Sequence, residues 1–508
     1  MNDSGVHEIV IVGAGFGGLG MAIRLKQEGT DDFVLIERGA DVGGTWWANS
    51  YPGAQCDVPS NLYSFSFAPN PDWTRAYPLR DEIQAYLRDC AERYGVVPHM
   101  RLDCELLGAS WVAGEQRWEL ETSQGPIAAR VLVAAPGLLS EPFEPALPGL
   151  ERFEGNAFHT ARWDHDDDLT GRRVAVIGTG ASAVQVVPAI QPRVSRLTLF
   201  QRTPPWVAPH ADHEVTPRMR EAYRRLPALQ LLSRAFIYSL VELLLAPGMT
   251  RDRRYLKPAE WIVKLKLRRE VPDSDLRRRL TPGFQLGCKR LVFSNAWYPA
   301  LQAPNVDLVS SGIHEVRENS IVDGDGVEHE VDTLILATGF TPAELPIAER
   351  IRGRDGRSLA EVWAGSPQAY LGTTVTGFPN LIFLYGPNVN LGHTSIVYML
   401  ESQLAYAIDA LRTMRLRGAA EFEVHAETQD AYNEEIQERL ARTVWNTGGC
   451  GSWYFDSNGR NSIQWPGFTF EYRRRTRRFD TPAYRLRPPT TLSAANGASR
   501  SHPPAHAR

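Results

Sequence analysis

Two glycine-rich turns have the spacing that binds nucleotides. One has the form Gly-Ala-Gly-Phe-Gly-Gly after the apolar residues 9–12, and the other the form Gly-Thr-Gly-Ala-Ser-Ala after residues 174–177. A continuous apolar run is typical of a strand buried on both faces of a parallel sheet, and the glycines let the backbone approach a pyrophosphate. We therefore predict two Rossmann-like dinucleotide-binding units in an α/β fold. The residues expected to line the turns are Gly13, Gly15, Phe16 and Gly18 in the first, and Gly178, Thr179, Gly180, Ala181, Ser182 and Ala183 in the second.

A charged residue of opposite sign follows the second strand of each unit. Glu37 stands nineteen residues after Gly18, where a carboxylate binds ribose hydroxyls and would repel a 2′-phosphate. In the second unit the apolar residues 197–200 lead into Arg202 and Thr203, so that a guanidinium could pair with a 2′-phosphate. The two preferences predict a flavin enzyme that contains FAD and is reduced by NADPH.

A third motif, just before the second glycine turn, carries the resemblance to a known family. Its fixed residues follow the pattern FxGxxxHxxxW(P/D), which resembles the fingerprint of type I Baeyer-Villiger monooxygenases in the flavin-containing monooxygenase superfamily. They are Phe153, Gly155, His159, Trp163 and Asp164. The similarity extends to about residue 478 and includes the segments 43–46, 51–57, 289–290 and 452–454.

The resemblance implies an activity and a set of roles. Members of the family use FAD, NADPH and O2 to convert a ketone into an ester or lactone through a C4a-peroxyflavin. Arg290 matches the catalytic arginine that stabilises the peroxide and the oxyanion of the ketone adduct, and Asp57 matches the carboxylate that holds it. The other matched residues are Lys289 at the 2′-phosphate, Thr45, Trp46 and Tyr63 around the flavin, and Trp453 in a glycine-rich loop expected to be mobile and to cover the nicotinamide.

The resemblance also gives His159 a positioning role, at the link between the two units, in preference to a proton-transfer role. Two other functions stay open. An N- or S-oxygenating flavin monooxygenase would use the same cofactors, although Trp163-Asp164 and Lys289-Arg290 favour ketone oxidation. An electron carrier of the pyridine nucleotide-disulfide reductase type would need a redox cysteine pair beside the flavin, and Cys56 has no near partner in the sequence.

The amino-acid composition limits the classes of ligand and partner that the chain is expected to bind. The 508 residues are 43% hydrophobic and 22% charged with a formal net charge of -4, which is typical of a globular protein and argues against nucleic-acid binding. The basic run 473–478 is expected to be a solvated patch, and the acidic residues 164–168 lack metal-ligand spacing, so no metal is predicted. We expect a small-molecule ketone and O2 as partners, and a monomer or weak homo-oligomer.

The spacing of the cysteines bears on the cellular compartment, and the length of the apolar runs bears on membrane insertion. The five cysteines include no CxxC pair, which predicts reduced thiols in the cytoplasm. The longest apolar stretch, residues 235–246, is shorter than the ~20 residues of a membrane span and predicts a buried or half-buried helix, with no integral membrane segment.

The order of motifs predicts the domain organisation. The first part of the FAD-binding domain is expected over residues 1–145. The NADP-binding domain is expected over 150–338, with a helical insert at about 210–282. A segment over 340–488 returns to the FAD-binding domain and includes a C-terminal loop. Residues 489–508 are rich in Pro, Ser and Ala and are expected to form a disordered tail.

Overall fold

The computed structural model describes residues 5–490, so the predicted tail lies, apart from residues 489 and 490, outside the described residues. The described strands are β1 Val6–Val12, β2 Phe33–Ile36, β3 Met100–Arg101, β4 Leu106–Val112, β5 Arg117–Thr122, β6 Gly125–Ala134, β7 Asn156–His159, β8 Arg173–Ile177, β9 Arg196–Phe200, β10 Val207–Ala208, β11 Val292–Phe293, β12 Val306–Val309, β13 Ile313–Val316, β14 Ser320–Asp323, β15 Glu328–Glu330, β16 Thr333–Leu336, β17 Ile351–Arg352, β18 Leu381–Phe383, β19 Glu421–Val424 and β20 Tyr484–Arg487.

Helices alternate with these strands. The described α-helices are α1 Phe16–Gln27, α2 Thr45–Ala48, α3 Arg80–Arg93, α4 Ala181–Ile190, α5 Pro217–Arg225, α6 Pro227–Thr250, α7 Lys257–Glu270, α8 Ser274–Arg279, α9 Trp297–Leu301, α10 Ile347–Arg350, α11 Leu359–Trp363, α12 Ile396–Arg417, α13 Ala426–Leu440, α14 Val444–Thr447 and α15 Thr469–Arg475.

The first sheet is mixed and has the order β17-β4-β5-β6-β1-β2-β3, with β18 also paired to β6. Strands β1, β2, β3, β6 and β18 form its parallel part, and β4 and β5 add an antiparallel hairpin beside β6. Val12 pairs with Ile36 and with Ala134, so three strands end at one edge, where the first glycine turn begins. The strands after residue 350 that join this sheet place the returning segment beside the first unit.

The second sheet is wholly parallel, with the order β12-β9-β8-β16-β7. Ile177 pairs with both Phe200 and Leu336, so the second glycine turn and the segment of Arg202 leave the same edge. Two nucleotide-binding sheets in an α/β chain confirm the predicted fold class. The residue limits assigned above to the domains stay a prediction.

The helical insert differs from its prediction in one respect. The apolar run 235–246 belongs to α6, which is 24 residues long and has most of its outward side chains exposed. Within residues 5–490 this is the one helix whose length and composition would allow it to cross a membrane, and only 11% of its most apolar window is buried. The apolar run thus lies in a partly buried helix, as predicted, but the helix is longer than the run because residues 227–234 and 247–250 continue it.

The prediction of reduced thiols was wrong for two of the five cysteines. Cys288 and Cys450 form a disulfide across 162 residues of sequence, with their Cα atoms 6.1 Å apart. Spacing could not reveal this pair, because the fold alone brings the two segments together. Cys56, Cys90 and Cys104 are free and buried.

Candidate active site

The first glycine turn has the shape that a bound pyrophosphate requires. Gly13 has φ +100°, and a Cβ there would lie 2.4 Å from the Ala135 carbonyl oxygen. A Cβ on Gly18 would lie 1.8 Å from the Gly13 carbonyl oxygen. Gly15 caps α1, whose first residue is Phe16, so the helix N-terminus and its free N–H groups face outward from the turn. The turn therefore fits a dinucleotide.

Glu37 is fixed beside this turn. Its carboxylate accepts the Ala14 N–H at 2.7 Å through Oε2 and the Gly39 N–H at 2.8 Å through Oε1. The side chain is almost wholly buried, and its remaining lone pairs can accept hydrogen bonds from ribose hydroxyls. This arrangement fits the adenosine half of FAD.

Aromatic side chains gather next to the first turn. Trp46 Nε1 donates a hydrogen bond to the Tyr63 hydroxyl at 3.1 Å, and the two rings meet edge to face. Phe16 also packs edge to face on Tyr63, at 5.1 Å between ring centroids. Thr45 begins α2, directly before Trp46. Burial raises the pKa of Tyr63, and the positive charge of Arg290 opposes that rise, so the predicted catalytic cation lies near this cluster.

The second turn repeats the geometry of the first. Gly178 has φ +112°, and a Cβ there would lie 2.3 Å from the Ala337 carbonyl oxygen. Gly180 caps α4 and faces open space, with no atom within 4 Å of a Cβ built on it. Thr179 Oγ1 donates to the Thr203 carbonyl at 2.6 Å, which joins the turn to the segment of Arg202. Ala181, Ser182 and Ala183 form the first turn of α4.

Two cations converge beyond this turn. Burial, and then the positive charge of Arg202, lower the pKa of Lys289, and no carboxylate opposes them in the described part of the chain. The Lys289 ammonium also lies 5.2 Å from the ring centroid of Phe284. A pair of like charges without an acidic partner is unfavourable by itself and fits an anionic ligand such as a 2′-phosphate.

Arg290 and Asp57 form a two-pronged ion pair. Arg290 Nε donates to Asp57 Oδ2 at 2.7 Å, and Nη2 donates to Oδ1 at 2.5 Å, which leaves Nη1 for a ligand. Asp57 is the main cause that raises the pKa of Arg290, so the guanidinium stays charged. The Arg290 side chain is 39% exposed. The fold thus brings together two predicted residues that are 233 positions apart and presents a fixed cation to a ligand.

Two tyrosines beside Arg290 were given no role in the sequence analysis. Tyr454 is buried, and burial raises its pKa to about 12, with the nearby charge of Arg290 opposing the rise. Burial also raises the pKa of Tyr385, again with Arg290 opposing. The matched segment 452–454 pointed towards Tyr454. Tyr385 follows β18 with φ +65°, and no motif marks it in the sequence.

Trp453 is 41% exposed and packs edge to face on Tyr454. Its loop is anchored more firmly than predicted, because Cys450 is bonded to Cys288, two residues before Arg290. A cleft of about 450 Å³ opens beside this junction. Its lining residues are Trp206, Glu260, Lys264, Thr281, Pro282, Gly283, Phe284, Gln285, Thr447, Gly448 and Gly449.

The fingerprint residues pack around β7. A Cβ on Gly155 would lie 2.6 Å from the Phe153 ring. A larger residue at position 155 would therefore collide with this ring. Trp163 packs edge to face on Phe158, with 5.1 Å between the centroids. Asp164 Oδ2 accepts a hydrogen bond from Asn156 at 2.7 Å, which lowers the pKa of this half-buried carboxylate.

His159 ends β7 near the connection between the sheets. Its Nδ1 accepts the Ala161 N–H at 3.0 Å, and its ring lies 5.8 Å from Phe340, just beyond β16. Burial lowers the pKa of His159, and a backbone interaction with Gly339 opposes that shift. A buried neutral imidazole at the chain connection agrees with a positioning role.

Two sheets, one with a carboxylate and the other with paired cations at the nucleotide edge, define an oxidoreductase with two nucleotide sites. Residues 10–236 match the pyridine nucleotide-disulphide oxidoreductase family. A Baeyer-Villiger monooxygenase of Streptomyces coelicolor is 49% identical over 498 residues, which cover 97% of this chain and 96% of that protein. The chain belongs to the Baeyer-Villiger monooxygenases.

Solved structures agree with this assignment. Cyclohexanone monooxygenase from Rhodococcus sp. Phi1, bound to NADP+, superimposes with a TM-score of 0.85 at 29% identity and covers 95% of this chain and 99% of its own. OTEMO in complex with FAD and NADP superimposes with a TM-score of 0.85 at 26% identity, covering 94% of this chain and 99% of its own.

Proposed function

We propose that this protein uses FAD, NADPH and O2 to insert one oxygen atom next to a ketone carbonyl, which yields an ester or a lactone. The observation that carries the proposal is the Arg290–Asp57 pair, which presents a fixed cation between two nucleotide-binding turns. FAD, when bound, supplies the oxygen chemistry with electrons from NADPH. The chain's own residues bind the two nucleotides, place the ketone and stabilise negative charge.

Arg290 is proposed to stabilise the oxyanion that forms when the ketone carbonyl is attacked. Its guanidinium is always charged, and Asp57 fixes its plane, so the donor needs no reorganisation during the reaction. Tyr63, Tyr385 and Tyr454 stay protonated because burial raises their pKa values, so they add no competing negative charge near Arg290.

Cofactor choice is proposed to depend on the two adenosine ends. Glu37 receives the ribose of FAD, whereas Arg202 and Lys289 receive the 2′-phosphate of NADPH. Gly13, Gly15 and Gly18 hold one pyrophosphate, and the turn from Gly178 to Ala183 holds the other. Trp453 is proposed to cover the nicotinamide, and Trp46 and Tyr63 to contact the flavin.

The test is turnover of the FAD-containing enzyme with NADPH, under 18O2, against cyclic, linear and aryl ketones. One labelled oxygen atom in an ester or lactone is the expected result. Labelled N-oxides or sulfoxides without any ester would favour the alternative flavin monooxygenase. Reduction of the Cys288–Cys450 disulfide by NADPH, without oxygen transfer, would favour an electron carrier. We further propose that the enzyme works in the cytoplasm, as a monomer or weak homo-oligomer.

A further inference from the structure

The outer side of α6 carries an apolar surface that packing does not explain. Its exposed large side chains follow a helical spacing along Pro227–Thr250. They are Leu229, Leu231, Leu232, Phe236, Leu240, Leu243 and Leu244, which we call the apolar face. Leu232, Phe236 and Leu243 are 67%, 68% and 66% exposed. At 1.5 Å per residue the face is roughly 22 Å long, and a contiguous surface of this kind marks an interaction site.

The opposite side of α6 faces the protein and is mixed: apolar residues such as Ile237 and Tyr238 pack on the core, and polar residues are hydrogen-bonded. Gln230 Nε2 donates to Asn61 Oδ1 at 2.9 Å, and Arg234 Nη1 donates to the Asn61 carbonyl at 2.8 Å. Glu242 Oε1 accepts the Thr469 N–H at 2.5 Å. A helix on a protein surface in water normally buries its apolar side and exposes its polar side. Core packing accounts for the inner apolar residues of α6 but not for the outer ones, which indicates that the outer face contacts something other than water.

The same polar contacts exclude a membrane-spanning orientation. Glu242 is 2% exposed, and the Arg234 guanidinium lies 3.7 Å from the Glu401 carboxylate. In a membrane-spanning α6 these charged groups would have to leave their partners and enter the hydrocarbon, where an unpaired charge is strongly destabilising. The helix therefore stays against the protein, and its outer face can contact an apolar partner only along its length.

The charge of the helical segment that contains α6 indicates which apolar partner would suit the outer face. Residues 217–279 contain 16 Lys and Arg against 7 Asp and Glu, a net charge of +9, whereas the whole chain carries -4. Arg253, Arg254 and Lys257 follow α6 and are exposed. Trp261, on α7, is 65% exposed. Apolar, aromatic and basic side chains together are what an interfacial helix presents to anionic lipids.

We propose that the apolar face and the basic residues around it bind the surface of an anionic lipid bilayer, with α6 parallel to the membrane plane. The apolar side chains enter the boundary between headgroups and acyl chains, and the arginines contact lipid phosphates. This inference does not depend on the proposed oxygenation, because none of the residues that form the apolar face has been assigned a part in the reaction.

The test is co-sedimentation of the holoenzyme with vesicles made of equal parts of phosphatidylcholine and phosphatidylglycerol. We expect binding that weakens with added salt and is much weaker on phosphatidylcholine alone. The double variant Leu232→Glu with Phe236→Glu should bind at least about tenfold more weakly. Arg253→Glu with Arg254→Glu should lose the preference for phosphatidylglycerol. Leu416→Glu is the matched control, because Leu416 is an isolated exposed leucine on α12, and it should bind as the parent does.

A measurement in solution tests the alternative that a second copy of this chain, and not a lipid bilayer, covers the apolar face. Light scattering should show the same mass for the parent and the Leu232→Glu, Phe236→Glu variant, and both should oxidise a water-soluble ketone equally well. A stable dimer that this variant splits, without vesicle binding by the parent, would overturn the proposal. Vesicle binding that the variant leaves unchanged would overturn it as well.

Discussion

At the scale of single residues, Arg290 is the group on which the proposed chemistry depends most. Arg290→Ala should lower ester formation by a hundred- to a thousandfold, since removal of an oxyanion donor costs about 2.7–4 kcal/mol. FAD should remain bound, because the aromatic cluster and the first glycine turn are untouched. The measurement is kcat for the ester together with the FAD content of the purified variant.

Two further variants, Arg290→Lys and Asp57→Ala, distinguish the effect of the positive charge at position 290 from the effect of its orientation. Lysine keeps the charge but loses the planar two-pronged geometry, so we expect little recovery of activity. Asp57→Ala should be milder than Arg290→Ala, because the guanidinium keeps its charge and loses only its anchor. An Arg290→Ala enzyme within tenfold of the parent rate would show that another group stabilises the oxyanion.

Arg202 and Lys289 should determine the preference for NADPH over NADH. Each charge-assisted contact to a phosphate is worth about 1.5–3 kcal/mol, so Arg202→Ala or Lys289→Ala should weaken NADPH binding by roughly ten- to a hundredfold. NADH binding should change little, and this difference is the internal control. Equal use of both nucleotides by the parent enzyme would contradict the assignment.

At the scale of elements, the Cys288–Cys450 disulfide ties the Trp453 loop to the segment of Arg290. Cys450→Ser should lower the free energy of unfolding by about 2–4 kcal/mol, because the cross-link closes a long loop in the unfolded chain. Dithiothreitol should lower the unfolding temperature of the parent holoenzyme and leave that of the variant unchanged. Five reactive thiols, in place of three, in the denatured unreduced parent would contradict the disulfide.

At the scale of the whole molecule, hydrogen bonds between the loop of Asp57 and α4 join the two nucleotide-binding units. The loop of Asp57 rests on α4, because Gln185 Nε2 donates to the Gln55 carbonyl at 2.8 Å and the Tyr51 hydroxyl donates to Gln185 Oε1 at 3.0 Å. Asp57 then pairs with Arg290, which follows the insert. Domain position and catalytic geometry are therefore coupled.

His159 should act through this coupling. His159→Ala removes the acceptor for the Ala161 N–H, a loss worth about two- to tenfold. We expect that fall in kcat, with FAD content and NADPH dissociation constant unchanged. His159→Phe keeps a ring beside Phe340 and should retain more activity than His159→Ala. Loss of FAD from His159→Ala, with full activity restored by added flavin, would indicate a flavin-binding role instead.

Much of this protein could be predicted from local sequence. The two glycine turns, Glu37 and Arg202 each follow an apolar strand at a set distance, and a parallel sheet carries such strand ends to one edge whatever the rest of the chain does. The fold class and both nucleotide sites were therefore predictable. The fingerprint around His159 was similarly local and identified the family.

Tertiary structure alone decided the contacts between distant segments. The Cys288–Cys450 disulfide and the position of Tyr385 beside Arg290 join residues that no short motif relates. The orientation of α6 was undecided for the same reason. Its sequence shows where the apolar residues stand on the helix, but the core contacts of Ile237 and Tyr238 and the polar partners Asn61, Glu401 and Thr469, all supplied by other elements, determine which side faces the protein. Local patterns specify elements, whereas burial and pairing depend on what the rest of the chain places against them.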